Sequence, residues 1–420
     1  MFRAVRPVLC CLALVLPAVV LRTSGTELAS PLALLVFGVA VVGASFVLAW
    51  AAEAAEVDIA SGLAVALLAV IAVLPEYAVD LYFAYTAGSK PEYVQYAAAN
   101  MTGSNRLLLG LGWSLVVLVS LVVASRKTGR SVTTLIVDPR YRLELGFLLV
   151  ASVIALIIPV TGQIHLVLGT GLLAFFAYYL VRVSRAHDLG DEHALVGPAA
   201  RIGALPRGQR RPLVVAMFVT AAVAILVSAE PFAEALVGSG EVLGIDRFLL
   251  VQWLAPLASE APEFIIALLF ACRGKAGMAL GILLSAKVNQ WTLLVGSLPV
   301  AYVIGGGSAS LSLDSRQIEE VLLTTCQTLM GIAILLLLRF PRWAAWTLMG
   351  LFAVQFFIPG MHGRLILSAV YAGIAVVLLV HRRRQVWPTL SAPFRSLAPS
   401  TPEPTVKATP AQSRSPVSAR

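Results

Sequence analysis

The sequence predicts an all-α polytopic membrane protein, with two inverted-topology repeats of about five transmembrane helices each and an extra N-terminal helix. Of its 420 residues, 59% are hydrophobic and 13% are charged, whereas soluble domains carry roughly 25% charged residues. Apolar stretches of about 20 residues, enough to cross a bilayer, recur from end to end. The net charge of +9 resides in the loops between these stretches, so it does not indicate nucleic-acid binding.

The apolar stretches divide the chain into two similar halves. Residues 1–29 form an N-terminal helix that is signal-like or a retained span, and we favour a retained span because no small-x-small cleavage site follows. A basic linker at 185–211 separates the halves, and the Pro- and Ser-rich residues 382–420 are expected to be a disordered tail. The first half (30–184) contains predicted spans 30–52, 62–86, 93–125, 143–159 and 164–183; the second half (212–381) contains 212–237, 247–272, 276–304, 317–339, 343–359 and 364–381.

Basic residues alternate between the loops, which sets the orientation. Cytoplasmic loops of membrane proteins are enriched in Lys and Arg, and every basic cluster of this chain falls on the same side of the predicted spans. We therefore expect a multi-pass protein of a bacterial-type inner (plasma) membrane, with the linker and the C-terminus in the cytoplasm. The clusters lie at residues 126–130, 140–142, 182–211, 273–275, 339–342 and 382–384.

Ionisable residues inside the spans point to function, because each costs roughly 2.5–3.5 kcal/mol at a helix centre. Asp80 follows Glu76 by one helical turn, and Glu263 follows Glu260 by three residues, so each pair is expected to share a helix face. Lys287 lies in the next span. Buried structural ion pairs, such as Lys287 with Glu260, are one interpretation. A cation path is the interpretation we favour, because the charges fall at two corresponding places.

Proline precedes a glutamate in both halves, at Pro75-Glu76 and at Pro262-Glu263. Proline removes a backbone donor and disrupts the preceding turn, and broken helices at the midplane form the ion sites of many secondary transporters. The two segments run in opposite directions through the membrane. The sequence thus predicts an inverted repeat with an oxygen-rich cation site at its centre.

At these residues the chain resembles the sodium/calcium exchanger superfamily, whose two repeats carry patterns like G-T-S-L-P-E and G-N-x-x-G-S-N-x-x-N. In the first repeat, Leu74-Pro75-Glu76 and Asn100 with Gly103-Ser104-Asn105 match these patterns; in the second, Ser259-Glu260-Ala261-Pro262-Glu263 and Ser285-Ala286-Lys287 do. The resemblance implies two inverted five-helix repeats and a cation-ligating glutamate in each, which would make Glu76 and Glu263 the metal ligands. The chain departs from the pattern at Ala72, Val73, Leu108 and Gln290, and Lys287 replaces an Asn.

These observations predict a secondary active cation antiporter that exchanges Ca²⁺ or another cation for Na⁺ or H⁺ by alternating access, with no enzymatic chemistry and no cofactor. Inorganic cations and the bilayer are the expected partners. One alternative is a monovalent Na⁺/H⁺ antiporter in which Lys287 acts as a tethered cation, and a channel or non-transporting scaffold is a further one. The predicted cation-binding residues are Glu76, Glu263, Glu260, Ser104, Asn105, Ser259, Gln290, Asp80 and Asn100, with Lys287 as the coupling residue.

Overall fold

The computed structural model describes residues 2–58, 71, 73–187, 195–358 and 360–395. Most of the first half of the predicted span 62–86 lies outside these residues. Within them, nine helical segments are long and apolar enough to cross a membrane, and one bent helix pair makes a tenth. The structured part of the chain is nearly all helical, as the composition predicts.

The first half of the chain begins with two helices that pack against each other. Helix α1 spans Phe2–Ser24 and α2 spans Ser30–Ala55. Six further helices follow, one of which (α7) is a single short turn: α3 (Leu74–Ala87), α4 (Val94–Leu107), α5 (Ser114–Thr128), α6 (Arg142–Ala155), α7 (Ile157–Thr161) and α8 (Leu166–His187).

The second half repeats this order after a short helix, α9 (Gly197–Gly203). The long helix α10 (Arg207–Leu243) packs along α2. The remaining helices are α11 (Arg247–Ser259), α12 (Ala261–Cys272), α13 (Ala276–Asn289), α14 (Val295–Ile304), α15 (Ser315–Leu335), α16 (Arg342–Val354), α17 (Met361–His381) and α18 (Arg383–Leu390).

The Pro-Glu motif marks a helix N-terminus in both repeats. Pro75 and Pro262 lie in the first turns of α3 and α12, where the missing backbone donor costs nothing. The chain bends by 55° between α11 and α12. Glu260 therefore lies at the break and Glu263 lies in the first turn beyond it, so a bent span, and not one straight helix, carries the two glutamates.

A π-helical turn follows the second motif in each repeat, at Leu108–Trp113 and at Gln290–Leu294. Such turns insert one extra residue into a helix and are frequent at functional sites. The first turn lies within the continuous helical segment Pro91–Thr128. The predicted span 93–125 is thus one continuous helical segment with a π-helical turn inside it, and the second repeat has such a turn at the equivalent place.

Two antiparallel ribbons join the halves. Strand β1 (Thr134–Ile136) pairs with β4 (Arg339–Pro341), and β2 (Gln163–His165) pairs with β3 (Ser310–Ser312). By the predicted orientation, the first ribbon lies at the cytoplasmic ends of the helices and the second at the opposite ends. Each ribbon takes one strand from each half.

The described parts of the predicted tail and linker contain helices. Residues 383–394 form α18 and a 3₁₀ turn, so the expected disorder is wrong for these residues. Buried Arg182 donates hydrogen bonds from α8 to the carbonyls of Pro393 and Arg395. The linker 185–211 contains α9 and the first turn of α10, in which Arg210 forms a bidentate ion pair with Asp58.

Candidate cation-binding site

Two helix N-termini carry the acidic residues of the site. Glu76 lies in the first turn of α3, Glu260 occupies the N-cap position of α12 without a side-chain capping hydrogen bond, and Glu263 lies in the first turn of α12. Carboxylates are favoured at helix N-termini because the helix dipole and free N–H groups point at them. Glu76 and Glu260 are buried, with 6% and 3% of their surfaces exposed.

The Ser104 hydroxyl and the Gln290 side-chain amide each contact a glutamate from both repeats. The Ser104 hydroxyl of α4 lies 2.6 Å from Glu76 Oε1 and also contacts Glu260 Oε1. Gln290 Nε2 lies 2.8 Å from the same oxygen of Glu260 and 3.2 Å from Glu76 Oε1. Four of the predicted site residues therefore meet at one point, one pair from each repeat.

The Ser104 hydroxyl is shared between two carboxyl groups. It carries one hydrogen and contacts both Glu76 and Glu260, so it can donate to only one of them at a time. Two carboxylates this close repel each other when both are ionised. The arrangement therefore favours a proton or a cation between Glu76 and Glu260.

Lys287 is fully buried, but it binds Asn105 rather than a carboxylate. Its Nζ donates to Asn105 Oδ1 at 2.9 Å and to the Asn105 backbone carbonyl. Neither Glu260 nor Glu263 is within ion-pair distance among the described pairs, although the charge of Lys287 acts on Glu260. The ammonium is therefore held by two neutral oxygens of α4, as a small cation would be.

The other predicted ligands lie at the edge of this cluster. The Ser259 hydroxyl donates to the Ala255 carbonyl of its own helix, 3.1 Å away. Glu263 is half-buried, its Oε2 has no hydrogen-bond partner in the described chain, and the charge of Glu76 acts on it. Asp80 and Asn100 are fully buried on α3 and α4, one turn away from Glu76 and Ser104. The structure therefore brings Glu76 together with Glu260, and not directly with Glu263.

A buried ion-pair network beside the site was missed from the sequence. Arg106, next to Asn105, pairs with Glu320 of α15, and Arg364 of α17 pairs with Glu319 at 2.9 Å. Arg106 also lies over the ring of Trp253, 5.0 Å from its centroid. Glu319 and Glu320 lie at the start of the predicted span 317–339. In the sequence they look like the solvated end of a helix, so no local signal indicates that they are buried ion-pair partners.

Comparison with known proteins agrees with this architecture. A family model described as sodium/calcium exchanger protein matches residues 29–185 and 213–361. The crystal structure of the H⁺/Ca²⁺ exchanger CAX is 40% identical, with a TM-score of 0.86, and the match covers 94% of this chain and 98% of that one. A search of curated protein sequences found no match.

Two more distant structures share the fold. The Ca²⁺/H⁺ antiporter protein YfkE superposes with a TM-score of 0.58 at 16% identity, over 86% of this chain and 98% of that one. The sodium-calcium exchanger NCX_Mj gives 0.51 at 17% identity, over 79% and 99%. The predicted fold class, two inverted repeats preceded by an extra helix in a multi-pass membrane protein, is confirmed.

Proposed function

The chain belongs to the sodium/calcium exchanger family, and we propose that it is a secondary active antiporter exchanging Ca²⁺ for protons. The observation that carries the proposal is the meeting of Glu76 and Glu260 at one Ser104 hydroxyl, and we infer that the two carboxyls share a proton when no cation is bound. A cation that enters between these carboxyls must displace this proton, because both need the same oxygens. Competition for one site couples the two ions, and the related CAX structure is that of an H⁺/Ca²⁺ exchanger.

The cluster offers enough oxygen for a divalent ion. Glu76, Glu260, Ser104 and Gln290 carry roughly six side-chain oxygens between them, the lower end of the 6–8 that Ca²⁺ takes. Glu260 Oε2 and Gln290 Oε1 are buried without hydrogen-bond partners among the described residues. We infer that these two atoms turn to the metal ion when it binds.

Glu263 is proposed as an additional ligand. Its unpartnered Oε2 and the electrostatic effect of Glu76 on it favour a carboxylate that joins the ion when the α11–α12 break rearranges. Alternating access would expose the cluster to one side at a time. We propose that the protein resides in the plasma membrane with its C-terminus in the cytoplasm, as the loop charges favour.

Lys287 supports a second candidate function, a monovalent cation/H⁺ antiporter. Its ammonium occupies two oxygens of Asn105 that would otherwise be available to a mobile cation. A permanently filled position lowers the number of ions that the protein can carry. The same observation fits the Ca²⁺/H⁺ proposal if the lysine replaces a coupling Na⁺.

Ion flux in proteoliposomes tests the proposal. An outward proton gradient should drive Ca²⁺ uptake and Ca²⁺ should drive proton release, whereas a Na⁺ gradient should drive neither. Glu76→Gln should abolish both fluxes, because an amide can neither carry the proton nor replace the charged ligand. Glu234→Gln is the control and should retain exchange. The Glu234 carboxylate lies on α10 and accepts hydrogen bonds from Tyr82 and Tyr93. Na⁺-linked pH change without Ca²⁺ movement would establish the second candidate, and gradient-independent leak would indicate a channel.

A further inference from the structure

Residues 383–395, the C-terminal segment, follow α17 and lie across the ends of α6 and α8. Arg142 Nη1, in the first turn of α6, lies 3.1 Å from Thr389 Oγ1. The Tyr178 hydroxyl of α8 donates to the Pro393 carbonyl, 2.6 Å away. Arg142 and Tyr178 lie within about two turns of the ends of the candidate spans that carry them. The segment therefore runs along the membrane surface, on the side that the loop charges place in the cytoplasm.

One face of the C-terminal segment packs on the protein, and the opposite face exposes aromatic rings. Thr389 and Pro393 are buried, whereas Trp387 and Phe394 have 68% and 62% of their surfaces exposed. Tryptophan is enriched at membrane–water interfaces, where its ring faces lipid and its N–H group stays hydrated. The exposed rings lie at this level of the membrane, so they are placed to contact lipid.

The same face carries basic side chains without a partner. Arg383 and Arg384 precede Trp387 by four and three residues, so they share its face of α18. Both are exposed, as is Arg395, and none of the three side chains forms an ion pair or hydrogen bond with a described residue. By contrast, Arg382 donates to two backbone carbonyls at the end of α15. Residues 383–395 contain no Asp or Glu, so the charge of this face is purely positive.

We propose that this exposed face of the C-terminal segment binds the headgroup of an anionic phospholipid in the adjacent leaflet, for which phosphatidylglycerol is the probe. The guanidinium groups bind the phosphate, for which Arg has a matching donor geometry. The rings of Trp387 and Phe394 lie against the acyl chains. A surface helix that combines basic and aromatic side chains is typical of binding to anionic membranes. The inference takes only its membrane orientation from the proposed function.

Tryptophan fluorescence in vesicles tests the lipid site. The full-length protein is reconstituted in phosphatidylcholine with a fixed mole fraction of brominated lipid, and the signal of Trp387 is the difference between each protein and its Trp387→Phe counterpart. Brominated phosphatidylglycerol should quench this signal more strongly than brominated phosphatidylcholine. Arg383→Gln and Arg384→Gln should each weaken the preference for phosphatidylglycerol by about fivefold. Arg126→Gln, which removes an exposed charge from the same membrane side on α5, is the matched control and should leave the preference unchanged.

Four results would overturn the lipid site. Equal quenching by the two lipids would mean that the anionic headgroup is not preferred, and no quenching by either would place Trp387 in water. An equal loss of preference in Arg126→Gln and in Arg383→Gln would indicate a general effect of surface charge. Loss of the preference on adding inorganic phosphate would indicate a site for soluble anions. Brominated lipid is present in both leaflets and fluorescence requires no transport, so failure of Ca²⁺/H⁺ exchange would leave this result distinguishable.

Discussion

Replacing Ser104 by alanine removes the hydroxyl that contacts both Glu76 and Glu260. Ser104 is fully buried and contacts Glu76 at 2.6 Å as well as Glu260. A hydrogen bond to a charged group contributes about 1.5–3 kcal/mol, and 1.4 kcal/mol corresponds to about a tenfold change in an equilibrium constant. Ser104→Ala should therefore weaken the apparent Ca²⁺ affinity by about 10- to 150-fold, since the bridge and one oxygen ligand are lost together.

The assay is Ca²⁺ uptake into proteoliposomes at a fixed proton gradient, measured over a range of Ca²⁺ concentrations. Ser259→Ala is the matched control. The Ser259 hydroxyl is buried too, but it donates to the Ala255 carbonyl of its own helix, so the apparent Ca²⁺ affinity of this variant should stay within about twofold of the wild type. Equal affinities for the two variants would refute the assignment of Ser104 as the bridge.

Three further changes test other parts of the structure. Two hydrogen bonds from Arg210 hold the pKa of Asp58 at about 2, so this contribution to stability is complete above the unfolded pKa of roughly 3.9 and is lost as the pH falls towards 2. The melting temperature of Asp58→Asn should thus lie below that of the wild type at pH 7, and a gap that does not shrink between pH 4 and pH 2 would count against the pair. Lys287→Asn should let an outward Na⁺ gradient drive Ca²⁺ uptake, and an unchanged ion profile in the flux assay would contradict the tethered-cation role. A Cβ at Gly103 would lie 1.7 Å from a backbone oxygen of α11, so Gly103→Ala should destabilise the protein by about 3 kcal/mol or more, whereas Gly171→Ala, which meets no atom within 4 Å, should melt at or above the wild-type temperature.

The sequence predicted which elements and residue types form the site, because the signals are local. Proline before glutamate marks a helix start, apolar runs mark spans, and loop arginines set the orientation. The four residues that meet at the centre, Glu76, Ser104, Glu260 and Gln290, were all among the predicted cation ligands. Their roles as ligands stay predictions until ion binding is measured.

The sequence could not predict which glutamate of the second repeat faces Glu76. A three-residue spacing places Glu260 and Glu263 together only on a continuous helix, and the helix breaks at Glu260. The partner of Lys287 was equally hidden, because a buried ammonium is satisfied by carbonyl oxygens as well as by carboxylates. Residues 383–394 contact α6 and α8. Local composition does not reveal contacts with helices so far away in the sequence.

The two ribbons restrict how the molecule can change shape. Each ribbon links a loop of one half to a loop of the other by backbone hydrogen bonds. A rotation of the two halves against each other as rigid bodies would break the hydrogen bonds of both ribbons. Helices α2 and α10 lie against each other and contribute no strand to either ribbon, so a displacement of this helix pair would leave both ribbons intact. A disulfide between α2 and α11 would block such a displacement, whereas one placed within either ribbon would not.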